Sequence, residues 1–199
     1  DLSSAAFFMV AACLIPGSDL RLVGVGLNPS RSGLVDILAS MGAAIGVEPE
    51  PADPEPRGAL RVRARRVPGA LGATEIGGEL IPRAIDELPL AALAATQAQG
   101  PTIIRDAAEL RVKESDRLAV LARGLRSLGG CVEESPDGLR VSGPTPLTGG
   151  PVDPRGDHRL ALTFAVAGMI GQAPVTIAGW ECTHVSFPGF LEALEGVAQ

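Results

Sequence analysis

Aromatic side chains are scarce in this chain: its 199 residues include five Phe, one Trp and no Tyr. Positive charge is short as well, with a formal net charge of -6. A protein that grips single-stranded nucleic acid needs stacking rings and a basic field, so this composition excludes that class. Histidine and cysteine are also thin, at two and three residues. Cys13, Cys131 and Cys182 lie far apart and form no Cys-x-x-Cys pair, so no metal site is expected. Unpaired thiols fit a reducing compartment, and the expectation is a cytoplasmic protein. No long hydrophobic run occurs. Residues 5–15 are apolar but too few to cross a bilayer, and no basic segment precedes them, so neither a membrane span nor a signal peptide is expected.

What is present is 46% hydrophobic residues and 20% charged ones, enough to bury a good core. The 25 Gly and 17 Pro are scattered, which excludes low complexity. The chain begins at Asp1 and opens directly into a helical pattern, so a fragment or excised domain is expected. An acidic protein that binds an anion must use local basic clusters instead of its overall field.

One such cluster is Arg111-Val112-Lys113-Glu114-Ser115-Asp116-Arg117. Leu118, Leu121, Leu125 and Leu128 follow on one helical face, so the charged run sits where a loop becomes a helix. Unpaired backbone N–H groups, a positive dipole end, Lys113 and Arg117 together make an anion site there. Glu114 lies among cations that keep it ionised, yet it can pass a proton if a ligand changes its surroundings. The plainer reading is a solvated helix start with Ser115 as N-cap.

The rest of the chain repeats one order of elements. Helix, strand, helix and two strands run from Asp1 to Ala64, with an acidic, Pro-rich loop over residues 48–58. After a Gly-rich link at residues 69–78 comes a helix from about Asp86 to Ala98. A strand at Thr102–Ile104, the charged helix, and a hairpin over Pro136-Asp137-Gly138 complete that second unit. A third unit starts at Asp157, with a helix to Ile170, a strand at Val175–Ile177 and a last helix at Phe187–Val197. The repeat is about 70–85 residues long. Each first helix opens on an Asp (Asp1, Asp86, Asp157) and ends before a Gly (Gly17, Gly100, Gly171). The expectation is three units with parallel strands and crossover helices, the missing strands lying outside this piece. The helix beginnings would then meet at one end.

Asp86 reads as a cap, or as a general base held near a cation. Arg117 and Arg159 each offer a planar fork suited to a carboxylate or phosphate. Asp157 reads as an N-cap and His158 as a packed or surface histidine. Asn28-Pro29-Ser30-Arg31-Ser32 reads as a turn and cap, or as a phosphate nest. Cys182 has only His184 near it to activate a nucleophile.

Six segments together resemble the 5-enolpyruvylshikimate-3-phosphate synthase family, in its C-terminal part. They are Asp1-Leu2-Ser3-Ser4-Ala5-Ala6-Phe7-Phe8, Asn28-Pro29-Ser30-Arg31, Ile85-Asp86-Glu87-Leu88-Pro89, residues 111–117, Gly156-Asp157-His158-Arg159 and Ser186-Phe187-Pro188. The run at 111–117 and the Gly-Asp-His-Arg element are the most specific. Related enolpyruvyl transferases acting on a nucleotide sugar share the fold but differ at 111–117. The resemblance implies a mixed α/β (α+β) fold, with two similar domains of three βαβαββ units each. Residues 1–199 would then be most of one domain. The partner domain and an N-terminal strand segment would be missing, and one unit would be incomplete.

The implied reaction moves the enolpyruvyl group of phosphoenolpyruvate to the 5-hydroxyl of shikimate 3-phosphate and releases phosphate, with no cofactor. By resemblance, Asp86 contacts shikimate hydroxyls and accepts a proton, and Glu114 handles the proton at the methylene carbon. Lys113 lies on the shikimate side, and Arg117 and Arg159 bind phosphoenolpyruvate. The implied partners are those two substrates and the missing half of the enzyme. Some relatives carry Lys where this chain has Val185, so that contact is missing here or supplied elsewhere. A non-catalytic binding domain on the same scaffold, and a transferase for a nucleotide sugar, remain alternatives.

Overall fold

The structure is a computed structural model that describes residues 1–51, 55–64 and 71–197. Parts of the Pro-rich loop and of the Gly-rich link lie outside the described residues. The first unit comprises α1 (Leu2–Leu14), β1 (Asp19–Gly26), α2 (Gly33–Ser40), β2 (Ala44–Glu50) and β3 (Arg57–Arg63). The second comprises β4 (Glu75–Ile76), α3 (Leu80–Ala84), α4 (Leu88–Ala95), β5 (Gly100–Ile104), α5 (Arg117–Ser127), β6 (Cys131–Ser135) and β7 (Gly138–Gly143). The third comprises β8 (Gly150–Val152), α6 (His158–Ile170), β9 (Val175–Ile177) and α7 (Phe190–Val197). Turns of 3-10 helix at Ala108–Val112 and Trp180–Val185 precede α5 and α7.

Each unit has its own sheet, ordered β1-β3-β2, β4-β5-β7-β6 and β8-β9. The crossover helices α3 and α4 join the parallel pair β4/β5, and α6 joins the parallel pair β8/β9. The hairpins β2/β3 and β6/β7 are antiparallel, so the architecture is mixed. The opening strands of the second and third units lie inside this chain, beyond what the sequence pattern identifies. They are two and three residues long, too short for a periodic pattern, and they exist because a longer neighbour pairs with them. The last helix begins at Phe190, three residues later than expected.

The core is built by the first helices. All eight residues of α4 are buried, and five of them are Ala or Pro, so α1 and α6 pack close against it. Phe7, Phe8, Phe187, Phe190 and Trp180 form one ring cluster between α1 and α7, with centroids 5.3–6.3 Å apart. The second helices pack more shallowly. In α5, Leu118, Leu121 and Leu125, with Leu128 just beyond, are all buried, while Arg123 and Arg126 on the other face are exposed. This is the leucine face read from the sequence. No helix among the described residues is long and apolar enough to cross a membrane.

Candidate functional site

The first helices begin at a common rim. Ser3 of α1 donates its hydroxyl hydrogen to Glu87, just before α4, at 2.5 Å. Arg159 of α6 reaches Asp86, also just before α4, at 3.2 Å. Residues that are far apart along the chain therefore form one polar cluster around the N-terminal ends of three buried helices.

Asp86 is its centre. It does not cap a helix, one of the two roles expected of it: the helix expected over 86–98 is α4 alone, starting at Leu88 with Pro89 next to it, and α3 ends before it at Ala84. Asp86 stands at the joint, and its carboxylate turns to cations. Oδ1 accepts from Arg117 Nη1 at 3.2 Å, Oδ2 lies 3.2 Å from Arg159 Nη2, and Arg31 Nη2 is 3.7 Å away. Burial pushes the Asp86 carboxyl up, but Arg159, Arg117 and Lys113 outweigh it and hold the group below its usual range.

Arg117 is wholly buried and spends each nitrogen on a carboxylate. Nε donates to Asp157 at 2.8 Å, Nη1 to Asp86 and Nη2 to Glu114. Asp157 is a cap as well: its other oxygen accepts from the backbone N–H groups of Arg159 and Leu160, which fixes the start of α6. Ser115 donates to the same Asp157 oxygen as Arg117, at 3.1 Å. Ser115 is therefore not the cap of α5. That role belongs to Asp116, which accepts from Ala119 N–H at 3.0 Å. The reason is geometric, since the helix starts at Arg117 and the residue before it is the one in reach.

Lys113 points to Glu109 at 2.5 Å and touches Asp86 only through its charge. Glu114 is half exposed, so it meets both Arg117 and solvent. Arg111 locks the loop in place. It donates to Pro136 O at 2.7 Å and Ser135 O at 2.6 Å, and pairs with Asp116 and Glu134 at 2.9 and 3.0 Å. The charged run is thus divided: Arg111 and Asp116 build the loop, while Glu114 and Arg117 face the rim.

Three contributors were named in the sequence reading only inside longer segments, with no site role of their own. Arg31 reaches Ser3 Oγ at 3.3 Å, beyond a turn in which Asn28 accepts from Ser30. It stands before the second helix of unit one much as Arg117 opens that of unit two, and the repeat carried that signal. Glu87 is 2% exposed, and its acid in an otherwise apolar stretch was the clue. Ser3 gave none, since helix starts often carry Ser. A small cleft of about 90 Å³ opens beside the cluster, lined by Asp1, Ser3, His158, Arg159, Ser186 and Phe187 among others. Burial, then the charge of Arg159, pushes His158 below its usual range. Burial first, with nearby acids, keeps the Cys182 thiol protonated, which removes support for a nucleophile. Val185 is exposed and places no cation at its position. A larger cavity of about 450 Å³ lies at the far end of α1, among apolar residues such as Phe8, Ile15 and Met169, away from these charges.

Residues 1–194 match the family described as EPSP synthase (3-phosphoshikimate 1-carboxyvinyltransferase). A 3-phosphoshikimate 1-carboxyvinyltransferase of Pelotomaculum thermopropionicum is 52% identical over 197 residues, which is 99% of this chain and 45% of that protein. One from Geobacter sp. is 47% identical, covering all of this chain and 46% of that protein. The solved EPSP synthase of Acinetobacter baumannii is 39% identical with a TM-score of 0.93, over 99% of this chain and 45% of the other. The enolpyruvyl transferase NikO of Streptomyces tendae, at 22% identity and a TM-score of 0.76, is alike in fold; the match covers 100% of this chain and 43% of that one. The chain spans about 45% of the length of these relatives.

Proposed function

The chain belongs to the EPSP synthase family, and on that premise we propose that it is most of one domain of a 3-phosphoshikimate 1-carboxyvinyltransferase. Its C-terminal placement in the enzyme, and a partner half that completes the site, are part of this reading. The substrates would be phosphoenolpyruvate and shikimate 3-phosphate, in the cytoplasm, where three free thiols persist.

One observation carries the proposal: a single carboxylate, Asp86, is held between arginines from three separate helix starts. Attack of a sugar-like hydroxyl on the enolpyruvyl carbon releases a proton, and an ionised carboxylate at hydrogen-bond reach takes it. Neighbouring guanidinium groups keep that carboxylate charged and stabilise the phosphate as its charge grows. Glu114, half in solvent, exchanges the proton added to and removed from the methylene carbon. Arg159 keeps some exposed surface and grips phosphoenolpyruvate first. Arg117 is closed off by its three acids, so its contact with the ligand exchanges Glu114 or Asp86 for the incoming anion. Lys113 serves the shikimate side, freed from Glu109.

The test is phosphate release by the full-length enzyme containing this chain, supplied with both substrates. Asp86→Asn, which keeps shape and removes the base, is expected to lower kcat by about 10²–10⁴-fold. A variant within about threefold of the parent would overturn the assignment. The isolated 199-residue piece is expected to show no turnover until the other half is added.

A further inference from the structure

Apart from Asp157, which caps α6 and pairs with Arg117, Glu87 is the most deeply buried acid at the rim, and the proposed chemistry leaves it unused. Burying a carboxylate is costly unless it is paired, and Leu or Ala at this place would pack without that cost. Capping does not account for it. The Glu87 backbone carbonyl accepts from Leu90 and Ala91 at the start of α4, but its side chain makes no cap bond. The side chain instead turns toward the cations. Oε1 accepts from Ser3 Oγ at 2.5 Å and lies 3.8 Å from Arg159 Nη1. Ser3 Oγ in turn accepts from Arg31 Nη2 at 3.3 Å. The Arg159 fork is thus shared between adjacent acids, Nη2 on Asp86 and Nη1 toward Glu87.

We propose that Glu87 is a positioning residue for the transfer: it holds Arg159 directly, and Arg31 through the Ser3 hydroxyl, on the two sides of Asp86. Without that tether both guanidinium groups fall onto Asp86, the nearest ionised acid, and fewer donors remain for an incoming anion. Burial, only partly offset by Ser3 and Arg159, pushes the Glu87 carboxyl up while Asp86 is held down, so the two neighbours divide their work. Asp86 stays charged at the reacting centre, and Glu87 sets its surroundings.

The inference rests on the transferase reading, and its test separates the two. In the full-length enzyme, Glu87→Ala is expected to raise KM for phosphoenolpyruvate about tenfold while kcat changes by less than about threefold. Glu87→Gln keeps an acceptor for Ser3 and should recover most of the KM. Ser3→Ala, which removes only the bridge, should raise KM about threefold, and no further when combined with Glu87→Ala. Unchanged KM in both Glu87→Ala and Ser3→Ala would overturn the proposal, as would equal loss of kcat and thermal stability in Glu87→Gln. A crystal structure of the Glu87→Ala protein reads the placement without any assay. Displaced Arg159 and Arg31 side chains are expected, and both unmoved would refute the tether even in a protein with no turnover.

Discussion

Two groups of arginine–carboxylate pairs in this chain have almost the same geometry in different surroundings. On the β1-β3-β2 sheet, Arg61 meets Asp19 at 2.7 Å and Arg21 meets Glu48 at 2.8 Å, with 41–50% of each side chain exposed. At the rim, Arg117 meets Asp157 at 2.8 Å with neither side chain exposed. Bond length therefore says little about what each pair does. Water screens the sheet pairs and competes for their partners, so they serve mainly as solubility and edge charge. The Arg117–Asp157 pair has no water to fall back on. Removing one partner leaves a buried charge unpaired, and that coupling lets an incoming anion shift several residues together.

The comparison can be tested from its strongest side to its weakest. Arg117→Ala should cost the folded protein about 3–5 kcal/mol in urea unfolding, because Asp157 is left buried without its cation. A loss below about 1 kcal/mol would place the rim with the surface pairs. Arg159→Ala, whose partner Asp86 retains Arg117, should cost much less stability. It should raise KM for phosphoenolpyruvate about tenfold or more, read by initial rates.

Acid sharpens the contrast next. Arg61 and Arg63 hold Asp19 down at about 2, and cations hold Asp86 down as well. Both groups therefore add stability above the ordinary carboxylate range and lose it as pH falls through their folded values. Glu87, pushed up, works in the opposite sense and penalises folding as it ionises. At about 1 M salt the Asp19 contribution should vanish from the acid unfolding profile, while the rim contribution remains. Least of all, Asp19→Asn should lower the unfolding midpoint at neutral pH only slightly, and not measurably at about 1 M salt.

How much of this was legible depends on where each signal was stored. The leucine face of α5, the hairpin around Pro136-Asp137-Gly138 and the strand at Val175–Ile177 are written in local pattern, and they stand as read. The family resemblance is borne out by the match over residues 1–194. The meeting of Asp86, Glu114, Arg117 and Arg159 was foreseen from the repeat, since equivalent helix starts in equivalent units point one way. Lys113 joins them more loosely, by charge alone. The short helix α3 was not legible, because its five residues are too few for a periodic pattern. The cap of α5 was missed by one residue, since Ser115 and Asp116 are equally good caps and only the helix boundary chooses between them.

By itself the sequence determined the units, their order, the amphipathic faces and the set of charged residues available to the rim, because these follow from spacing and side-chain chemistry. Tertiary structure alone decided which charges were stripped of water. Arg117 and Glu87 look like any surface charge until α1, α4 and α6 pack. Strands as short as β4 and β8 have no stability until a neighbour supplies their hydrogen bonds. Burial is a property of the assembled chain, and here burial turns an ordinary ion pair into a site.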